Sequence, residues 1–383
     1  MKRWFSFLVL LVIAAVLSIG WQHLQTQQAL TQQALISQTQ PAQPQPAQPQ
    51  SQLVNELNIY NWDTYIAPNV LEEFQQQYHT KINYSTYGSN EEMYAKVKMG
   101  NPGYDLIFPT DYMVQVMARQ DLLAPLNPQK IPNLKHLDPK FLDPEYDPAN
   151  RYSLPYQWGT LGIGYNLEVT RAEIDSWAAM FLPQYAGKIA WMNDTRYTIG
   201  VILMFLGKDP NTQNIDDINE ARDFLIQQKN TIAAFAPDTG QVLLNQGEVD
   251  LAFEWNGDIQ QVMKENPDLR YAIPKEGSII WIDNMAIPKD APHPDTAVQF
   301  INFLLEPRIA ARVSNFTQYG SPNQTARNAG LINQSDLNNP GIYPSEQIFP
   351  KLKSLKDVGE AAPLYEAAWS VIKSEVSNYK PPS

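Results

Sequence analysis

Apolar and polar positions alternate in a way that predicts strands and helices in turn from residue 57 onward. The run 57–62 has the apolar content of a buried strand, and a proline with early acids in 67–78 is typical of a helix start. Ser89 and Glu92 have the spacing of a capping box, which predicts a second helix start. Strands are predicted at 57–62, 81–87 and 104–110, and helices at 67–78, 89–99 and 111–120. This alternation predicts a parallel α/β sheet.

A second alternation of the same kind follows later in the chain. Strand-like runs at 188–194 and 249–258 flank helical patterns at 198–207 and 217–228. Two such units predict two lobes with a cleft between them. Parallel sheets bind ligands beyond the carboxyl ends of their strands, so the residues at those ends are the first candidates for a site. Asp147, between the two units, is expected on a surface loop.

The run SIIWIDNMAIP, residues 278–288, raises a specific question. Residues 278–282 have the pattern of a buried strand, and residues i and i+2 of a strand share a face, so Trp281 and Asp283 would project side by side. One interpretation is a tryptophan at the rim of the sheet beside a turn formed by Asp283 and Asn284. The other is an indole and a carboxylate directed at one ligand, and this run alone does not decide between them.

The first 53 residues differ from the rest of the chain. A basic start (Met1 to Arg3) is followed by the uncharged run 4–21, which predicts export through a signal peptide or a membrane anchor in residues 1–21. In residues 22–53, TQQAL and PAQPQ each occur twice in succession. A Gln- and Pro-rich segment with so little apolar content predicts a linker, so folded protein is expected from about Leu53.

Composition narrows the classes of function. The net charge is −12, and residues 1–53 hold only two charged side chains, both basic, which leaves 26 of the 28 basic side chains against all 40 acidic ones. Such an acidic surface argues against nucleic acid as a partner and is compatible with a cationic ligand. The chain has no cysteine and four scattered histidines without metal-binding spacing. No metal and no cofactor are therefore expected.

The ends of the predicted strands carry aromatic residues together with acids. Ring faces attract a cation and its methylene stem, and carboxylates accept its N–H hydrogen bonds, so a cleft lined in this way suits an organic ammonium. Crowded acids without partners cost stability, and a cationic ligand would compensate them. The candidates are Trp62 with Asp63, Tyr112, Asp194 with Tyr197, Trp255 with Asp258, and Trp281 with Asp283.

Two other interpretations use the same residue types. Paired carboxylates beside tryptophans are also typical of a carbohydrate-active enzyme, a glycoside hydrolase in which one carboxyl is the acid and another the nucleophile or base. The acids here are spread over both predicted lobes without an evident pair. A purely structural interpretation places each tryptophan in the core and each aspartate at a helix cap. It fits any single pair but explains the recurrence at corresponding strand ends less well.

Several longer blocks resemble one known family. YNWDTYIAPNVLEEF, YSTYGSNEEMYAKVK, YDLIFPTDYMV, WNGD, IPKEGSIIWIDNMAIP and YGSPN are similar to the bacterial spermidine/putrescine-binding proteins of ABC importers, from about Leu57 to Tyr379. The resemblance implies an α/β, two-lobed periplasmic-binding-protein fold (type II), with mixed sheets, helices on both faces and a ligand cleft between the lobes. It implies crossover strands as a hinge, with 54–160 and 284–349 in lobe 1 and 161–283 and 350–380 in lobe 2.

Carried over residue by residue, the resemblance implies a function and a site. The function is a non-enzymatic receptor that captures putrescine or spermidine and delivers it to an ABC permease. A monomer in the periplasm is expected, either free or tethered to the inner membrane by an uncleaved N-terminal segment. A binding protein retuned to another small molecule stays open as an alternative. The implied ligand contacts are Trp62, Asp63, Tyr112, Asp194, Trp255, Asp258, Trp281, Asp283 and Tyr319.

The chain also departs from the family pattern. At Asp63 the order of acid and hydroxyl residue is reversed, Tyr197 stands where a glutamate is expected, and Leu355 replaces a glutamine. The loss of an acid and an amide favours a diamine over spermidine. In that arrangement Asp258 and Asp283 would hold one ammonium together, and Asp63 would hold the other.

Overall fold

The computed structural model describes residues 55–379, so the predicted apolar segment 1–21 and the linker 22–53 lie outside the described residues. The first strand begins at Asn55, the first described residue. No helix within 55–379 is both long and apolar enough to cross a bilayer.

The strands of the described chain form one mixed sheet. They are β1 (Asn55–Trp62), β2 (Thr80–Tyr87), β3 (Leu106–Ile107), β4 (Ser153–Asn166), β5 (Ile189–Met192), β6 (Ile232–Ala236), β7 (Leu251–Trp255), β8 (Leu269–Ala272), β9 (Ser278–Ala286) and β10 (Leu352–Lys353). The order across the sheet is β2-β1-β3-β9-β4-β7-β5-β6, with β10 beside β9 and β8 beside β4.

The helices begin where local signals place them. Pro68 occupies the first turn of the first helix, and the Ser89 side chain caps the second by accepting from the Glu92 backbone N–H at 3.2 Å. The α-helices are α1 (Pro68–Tyr78), α2 (Asn90–Lys98), α3 (Asp111–Arg119), α4 (Leu167–Thr170), α5 (Thr195–Phe205), α6 (Ile215–Gln227), α7 (Gly240–Asn245), α8 (Asn256–Glu265), α9 (Pro294–Leu304), α10 (Pro307–Thr317), α11 (Gln324–Asn328), α12 (Gln334–Leu337) and α13 (Ala362–Ser377). Short 3₁₀ helices cover Pro128–Lys130, Pro132–His136, Pro139–Phe141, Pro148–Asn150, Trp177–Phe181, Pro183–Tyr185, Phe349–Lys351 and Gly359–Ala361.

The helices cover the sheet through apolar faces. On α1, Val70 and Phe74 lie one turn apart and are fully buried. The Phe74 ring meets Phe300 and Phe303 of α9 edge to face, with ring centroids 4.7 and 5.3 Å apart. Burial of these rings, together with their edge-to-face geometry, stabilises this layer of helices on the sheet.

Both predicted α/β units are confirmed. β1 pairs in parallel with β2 along its whole length and with β3 at Ile59 and Tyr60. β5 pairs in parallel with β6 and with β7. The sequence missed β6, because its residues IAAFA include three alanines, a residue depleted in strands.

Two long antiparallel strands join the two units. Residues 153–160 of β4 pair with β9, and residues 161–166 pair with β7 and β8. The register shifts between Pro155 and Gln157, consistent with a proline that has no N–H for the ladder. β4 and β9 therefore cross from one parallel unit to the other. The exact lobe boundaries given above remain a prediction.

Asp147 lies in the interior, so its expected place on a surface loop is wrong. Its side chain is 2% exposed. Its Oδ2 accepts hydrogen bonds from the backbone N–H groups of Tyr152 and Ser153, at 3.0 and 2.8 Å, and from the Ser153 hydroxyl at 2.8 Å. The carboxylate thus satisfies buried donors at the entrance to β4, a role that local sequence does not reveal.

We expect Asp147→Asn to destabilise the protein by about 1–3 kcal/mol, because the new amide would direct its own N–H groups at buried donors. Urea unfolding at pH 7 measures the change. Asp268→Asn, an exposed aspartate, is the matched control and should unfold like the wild type. Equal midpoints and slopes for both variants would contradict this role of Asp147.

Candidate ligand-binding cleft

The carboxyl ends of β1 and β7 meet β9 around one pocket, as expected for ligand sites of open α/β sheets. Its empty volume is about 350 Å³, counting the part that is open to solvent. Four of its lining residues are aspartates and three are tryptophans, and within 55–379 no lysine, arginine or histidine lines it. The lining residues are Trp62, Asp63, Tyr65, Thr110, Asp238, Trp255, Asp258, Trp281, Asp283 and Tyr319.

The structure decides between the two interpretations of Trp281 and Asp283. β9 continues to Ala286, so Asp283 belongs to the strand and does not form a turn. Trp281 and Asp283 both line the pocket. Opposite Trp281 in the ladder is Gly159, where a Cβ atom would overlap the indole. The glycine in β4 is therefore a condition for seating this tryptophan.

A fixed chain of hydrogen bonds orients Asp283. Its Oδ1 accepts from the Thr110 hydroxyl at 2.7 Å, and that hydroxyl accepts from the Asn90 side-chain amide at 2.9 Å. Burial raises the pKa of Asp283 to about 7, and the Thr110 and Tyr65 hydroxyls offset part of the rise. Among the described residues, the Tyr65 hydroxyl makes no hydrogen bond of good geometry. Asp283 is thus held firmly but has no cationic partner in 55–379.

Each residue of the WNGD block, Trp255 to Asp258, makes a specific contact or lines the pocket at the end of β7. Trp255 lines the pocket, and Asp258 reaches it from the first turn of α8. Asn256 is fully buried and bonds the backbone of two other segments, accepting at 3.0 Å and donating at 3.0 Å. Gly257 lies against the Tyr319 ring, which a Cβ atom would overlap.

Asp63, Asp238, Glu254 and Asp258 form a group that we call the pocket acids. One oxygen each of Asp238, Glu254 and Asp258 lies within 4.8 Å of the others. Burial, followed by the charge of Asp63, raises the pKa of Asp238 to about 6. Burial, followed by the charge of Asp238, raises the pKa values of Glu254 and Asp258 well above their usual range.

The pocket acids are arranged to receive positive charge. Glu254 is fully buried behind the pocket, and its two oxygens accept from the backbone N–H groups of Gly240 and Trp255 at 3.0 Å each. Oxygen ligands at this spacing suit a hard divalent cation as well as an ammonium. The tryptophan faces beside them favour the ammonium, because a ring attracts an organic cation and its methylene groups.

A chain of edge-to-face rings forms the aromatic wall of the pocket. Trp255 and Trp281 have ring centroids 5.5 Å apart, Trp281 and Tyr319 are 5.0 Å apart, and Tyr319 and Tyr65 are 5.4 Å apart. At the other end of this chain, Tyr197 meets Trp255 at 4.9 Å. Such pairs stabilise one another beyond the area that they bury, so the wall is rigid.

The acids are grouped differently from the sequence expectation. Asp63 and Asp238 raise the pKa of Asp258, whereas the carboxyl group that interacts with Asp283 is Asp111, whose pKa is raised by burial and by the charge of Asp283. The charges of Asp63 and Asp258 therefore act on each other, and Asp283 is not part of that group of acids. The expected sharing of one ammonium by Asp258 and Asp283 is not what this arrangement favours.

Seven of the nine predicted ligand contacts line the pocket, and Tyr112 and Asp194 do not. The Tyr112 hydroxyl donates to Glu91 at 3.0 Å. Asp194 caps α5 and accepts from two backbone N–H groups at 2.9 Å. The Tyr197 ring contacts both Trp255, which lines the pocket, and Tyr112, which does not, with centroids 4.9 and 6.3 Å away.

Three lining residues were absent from the predicted set: Tyr65, Thr110 and Asp238. Tyr65 and Thr110 lie within the family-like blocks, and Thr110 ends a predicted strand, so the sequence contained a signal for both. Asp238 follows β6 in a left-handed turn with φ of 49°. Because β6 was not recognised, nothing in the sequence indicated this residue.

The raised pKa of Asp283 predicts a pH dependence of stability for the ligand-free protein. The folded pKa is about 7 and the ordinary value is 3.8, so the native state keeps a proton that the unfolded chain releases. Stability therefore falls as the pH rises from about 4 through 7. We expect Asp283→Asn to reduce the loss of unfolding free energy between pH 6 and pH 8 by about 1 kcal/mol, measured by urea unfolding.

Asp268→Asn is again the control and should keep the full wild-type pH dependence. Histidine contributions are common to all three proteins and cancel in the comparison. An Asp283→Asn protein that loses as much stability as the wild type between pH 6 and pH 8 would contradict a buried carboxyl group with this pKa.

Comparison with known proteins gives a consistent result. The family model for bacterial extracellular solute-binding proteins matches residues 69–340. The chain is 36% identical to a spermidine/putrescine-binding periplasmic protein of Salmonella typhimurium, over 83% of this chain and 91% of the relative. It is 32% identical to a putrescine-binding periplasmic protein of Escherichia coli, over 83% of this chain and 91% of the relative.

The solved structures agree with this result. A structure from Listeria monocytogenes assigned to a spermidine/putrescine ABC transporter superposes with a TM-score of 0.80 at 35% identity, covering 83% of this chain and 99% of that one. This likeness confirms the two-lobed binding-protein fold. The chain belongs to the family of bacterial extracellular solute-binding proteins.

Proposed function

We propose that this protein is an extracytoplasmic receptor that captures a polyamine and delivers it to an ABC importer. One observation carries the proposal: four aspartates and three tryptophans line a single pocket that has no basic residue among its described lining. Buried acids without cationic partners cost folding free energy, and a ligand with ammonium groups recovers that cost on binding.

The separation of the acids favours a ligand with two charged ends. The pocket acids offer one ammonium position, and Asp283 with the Tyr65 and Thr110 hydroxyls offers the other. Between these positions the faces of Trp255 and Trp281 accommodate methylene groups. A short diamine such as putrescine can place one ammonium group at each of these positions.

The names of the relatives support the ligand class and the partner. Relatives named as spermidine/putrescine-binding and putrescine-binding periplasmic proteins match 83% of this chain. We infer that an ABC permease receives the ligand and that the receptor acts in the periplasm as a monomer. The acidic surface gives nucleic acid no attraction.

We further infer that the protein is a receptor without catalytic activity. A glycoside hydrolase needs one carboxyl group as acid and a second as base or nucleophile at a defined separation. Here Glu254 has both oxygens bonded to backbone N–H groups, and the other pocket acids are crowded together. The relatives are named as binding proteins, which supports the same inference.

Calorimetric titration with putrescine, cadaverine, spermidine and spermine tests the proposal, with calcium as a comparison cation. We expect at least one amine to bind. Asp283→Asn should weaken that binding about 30-fold or more, because truncating one partner of a buried charged hydrogen bond costs about 2–5 kcal/mol. The exposed Asp268→Asn is the control and should bind like the wild type. Absence of heat and of thermal shift with every amine would refute the function.

We also propose that the uncharged segment 4–21 is retained as a membrane tether. Eighteen uncharged residues are sufficient to span the hydrocarbon core. We expect the native protein to sediment with membranes after osmotic shock and to show an intact N-terminus in mass spectrometry. The control is a chain without residues 1–21 that is exported by an unrelated cleavable signal, and it should appear in the shock fluid. Native protein in the shock fluid that begins near Trp21 would indicate cleavage instead.

A further inference from the structure

Tyr197 fills the space behind one wall of the pocket. Its side chain is 1% exposed, and its ring meets Trp255 edge to face at 4.9 Å. Its hydroxyl lies beside Thr110, whose own hydroxyl donates to Asp283. Trp255 and Thr110 both line the pocket, so Tyr197 backs the part of the wall that lies between them.

The Tyr197 hydroxyl has no hydrogen-bond partner of good geometry in the described part of the chain. Burial of a hydroxyl without a hydrogen-bond partner is unfavourable. After burial, the charge of Asp111, followed by those of Asp194 and Asp283, raises the pKa of Tyr197, so acids that line the pocket and acids that do not both act on this hydroxyl.

A second acidic group lies outside the pocket lining, next to Tyr197 and Tyr112: Asp194 accepts from the Tyr197 backbone N–H and Glu91 from the Tyr112 hydroxyl. We call Asp194 and Glu91 the rear acids. Burial, followed by the charge of Glu91, raises the pKa of Asp194 to about 7. Burial also raises the pKa of Glu91, and the charge of Glu366 adds to the rise. One cation faces them: Arg196, whose charge favours ionisation of both and whose guanidinium lies 5.9 Å from the Tyr112 ring. Within 55–379, the two rear acids thus share this one cationic neighbour.

We propose that the Tyr197 ring sets the maximum length of the ligand by separating the pocket from the rear acids. This inference rests on the proposed polyamine receptor and specifies which polyamines it accepts. With the ring in place, a ligand longer than the pocket must leave an ammonium against Trp255 or Tyr197 without a carboxylate. Burial of an unpaired charge is costly, so long polyamines are rejected.

Removal of the ring would join the two acidic groups. A longer diamine, or the far end of spermidine, could then extend past Trp255 and place its terminal ammonium beside Asp194. The same change deletes no acid and no hydroxyl that contacts a short diamine. The expected effect is therefore a change in the preference between lengths rather than a general loss of binding.

The test is a calorimetric series with putrescine, 1,8-diaminooctane and spermidine on the full chain. For the wild type we expect 1,8-diaminooctane and spermidine to bind at least tenfold more weakly than putrescine. For Tyr197→Ala we expect the ratio of long-chain to putrescine affinity to rise tenfold or more. Tyr197→Phe keeps the ring and should retain the wild-type ratio. The double variant Tyr197→Ala/Asp194→Asn should lose the gain for long amines.

Tyr165→Ala controls for the loss of a buried tyrosine elsewhere, since Tyr165 is 1% exposed and its hydroxyl bonds Glu173, away from the pocket. If Tyr197→Ala does not fold, Tyr197→Leu removes the outer part of the ring and should move the ratio in the same direction. An unchanged ratio in folded Tyr197→Ala or Tyr197→Leu protein that binds putrescine would overturn the length limit. A wild type that binds 1,8-diaminooctane as tightly as putrescine would do the same. Failure of every amine to bind the wild type would instead refute the proposed function.

Discussion

The pairing of the two halves of β4 with different strands is the constraint on which the pocket depends. Its first half pairs with β9 and its second half with β7 and β8, so the two parallel units share one central strand. The register places Gly159 opposite Trp281 and Leu161 opposite Trp255. Because side chains alternate between faces, a slip of one residue in β9 would turn Trp281 and Asp283 away from the pocket. Long-range pairing thus fixes which residues face the ligand.

Neutral hydrogen-bond donors, not cations, hold Asp283 and Glu254 in place. Thr110 orients Asp283, and backbone N–H groups hold Glu254. These hydrogen bonds fix the positions of the oxygens while burial keeps the pKa values high. Ionising these acids in the ligand-free protein is therefore unfavourable, and a positively charged ligand offsets that cost. Selectivity for cations follows from this cost, and the aromatic wall favours an organic cation.

The aromatic residues have two separate effects on this site. Trp255 and Trp281 face the pocket, where they supply apolar contact and attraction for a cation. Tyr197 continues the same chain of rings from Trp255 to Tyr112, which does not line the pocket. In the proposed receptor, this one wall both contacts the ligand and limits the space that it can use. The large edge-to-face contacts make the wall a rigid boundary, because each ring is confined by its neighbours.

The sequence by itself determined the local elements and the composition of the site. The alternation of strands and helices, the Ser89 cap and the placement of Trp62 and Trp255 at strand ends all follow from short-range patterns. Only the tertiary structure decided which acids share a charge environment. Asp238 reaches the pocket from a turn that the sequence did not indicate, and Asp194 caps a helix without lining the pocket. Distances between charges depend on strands that pair across more than a hundred residues, and no local pattern encodes them.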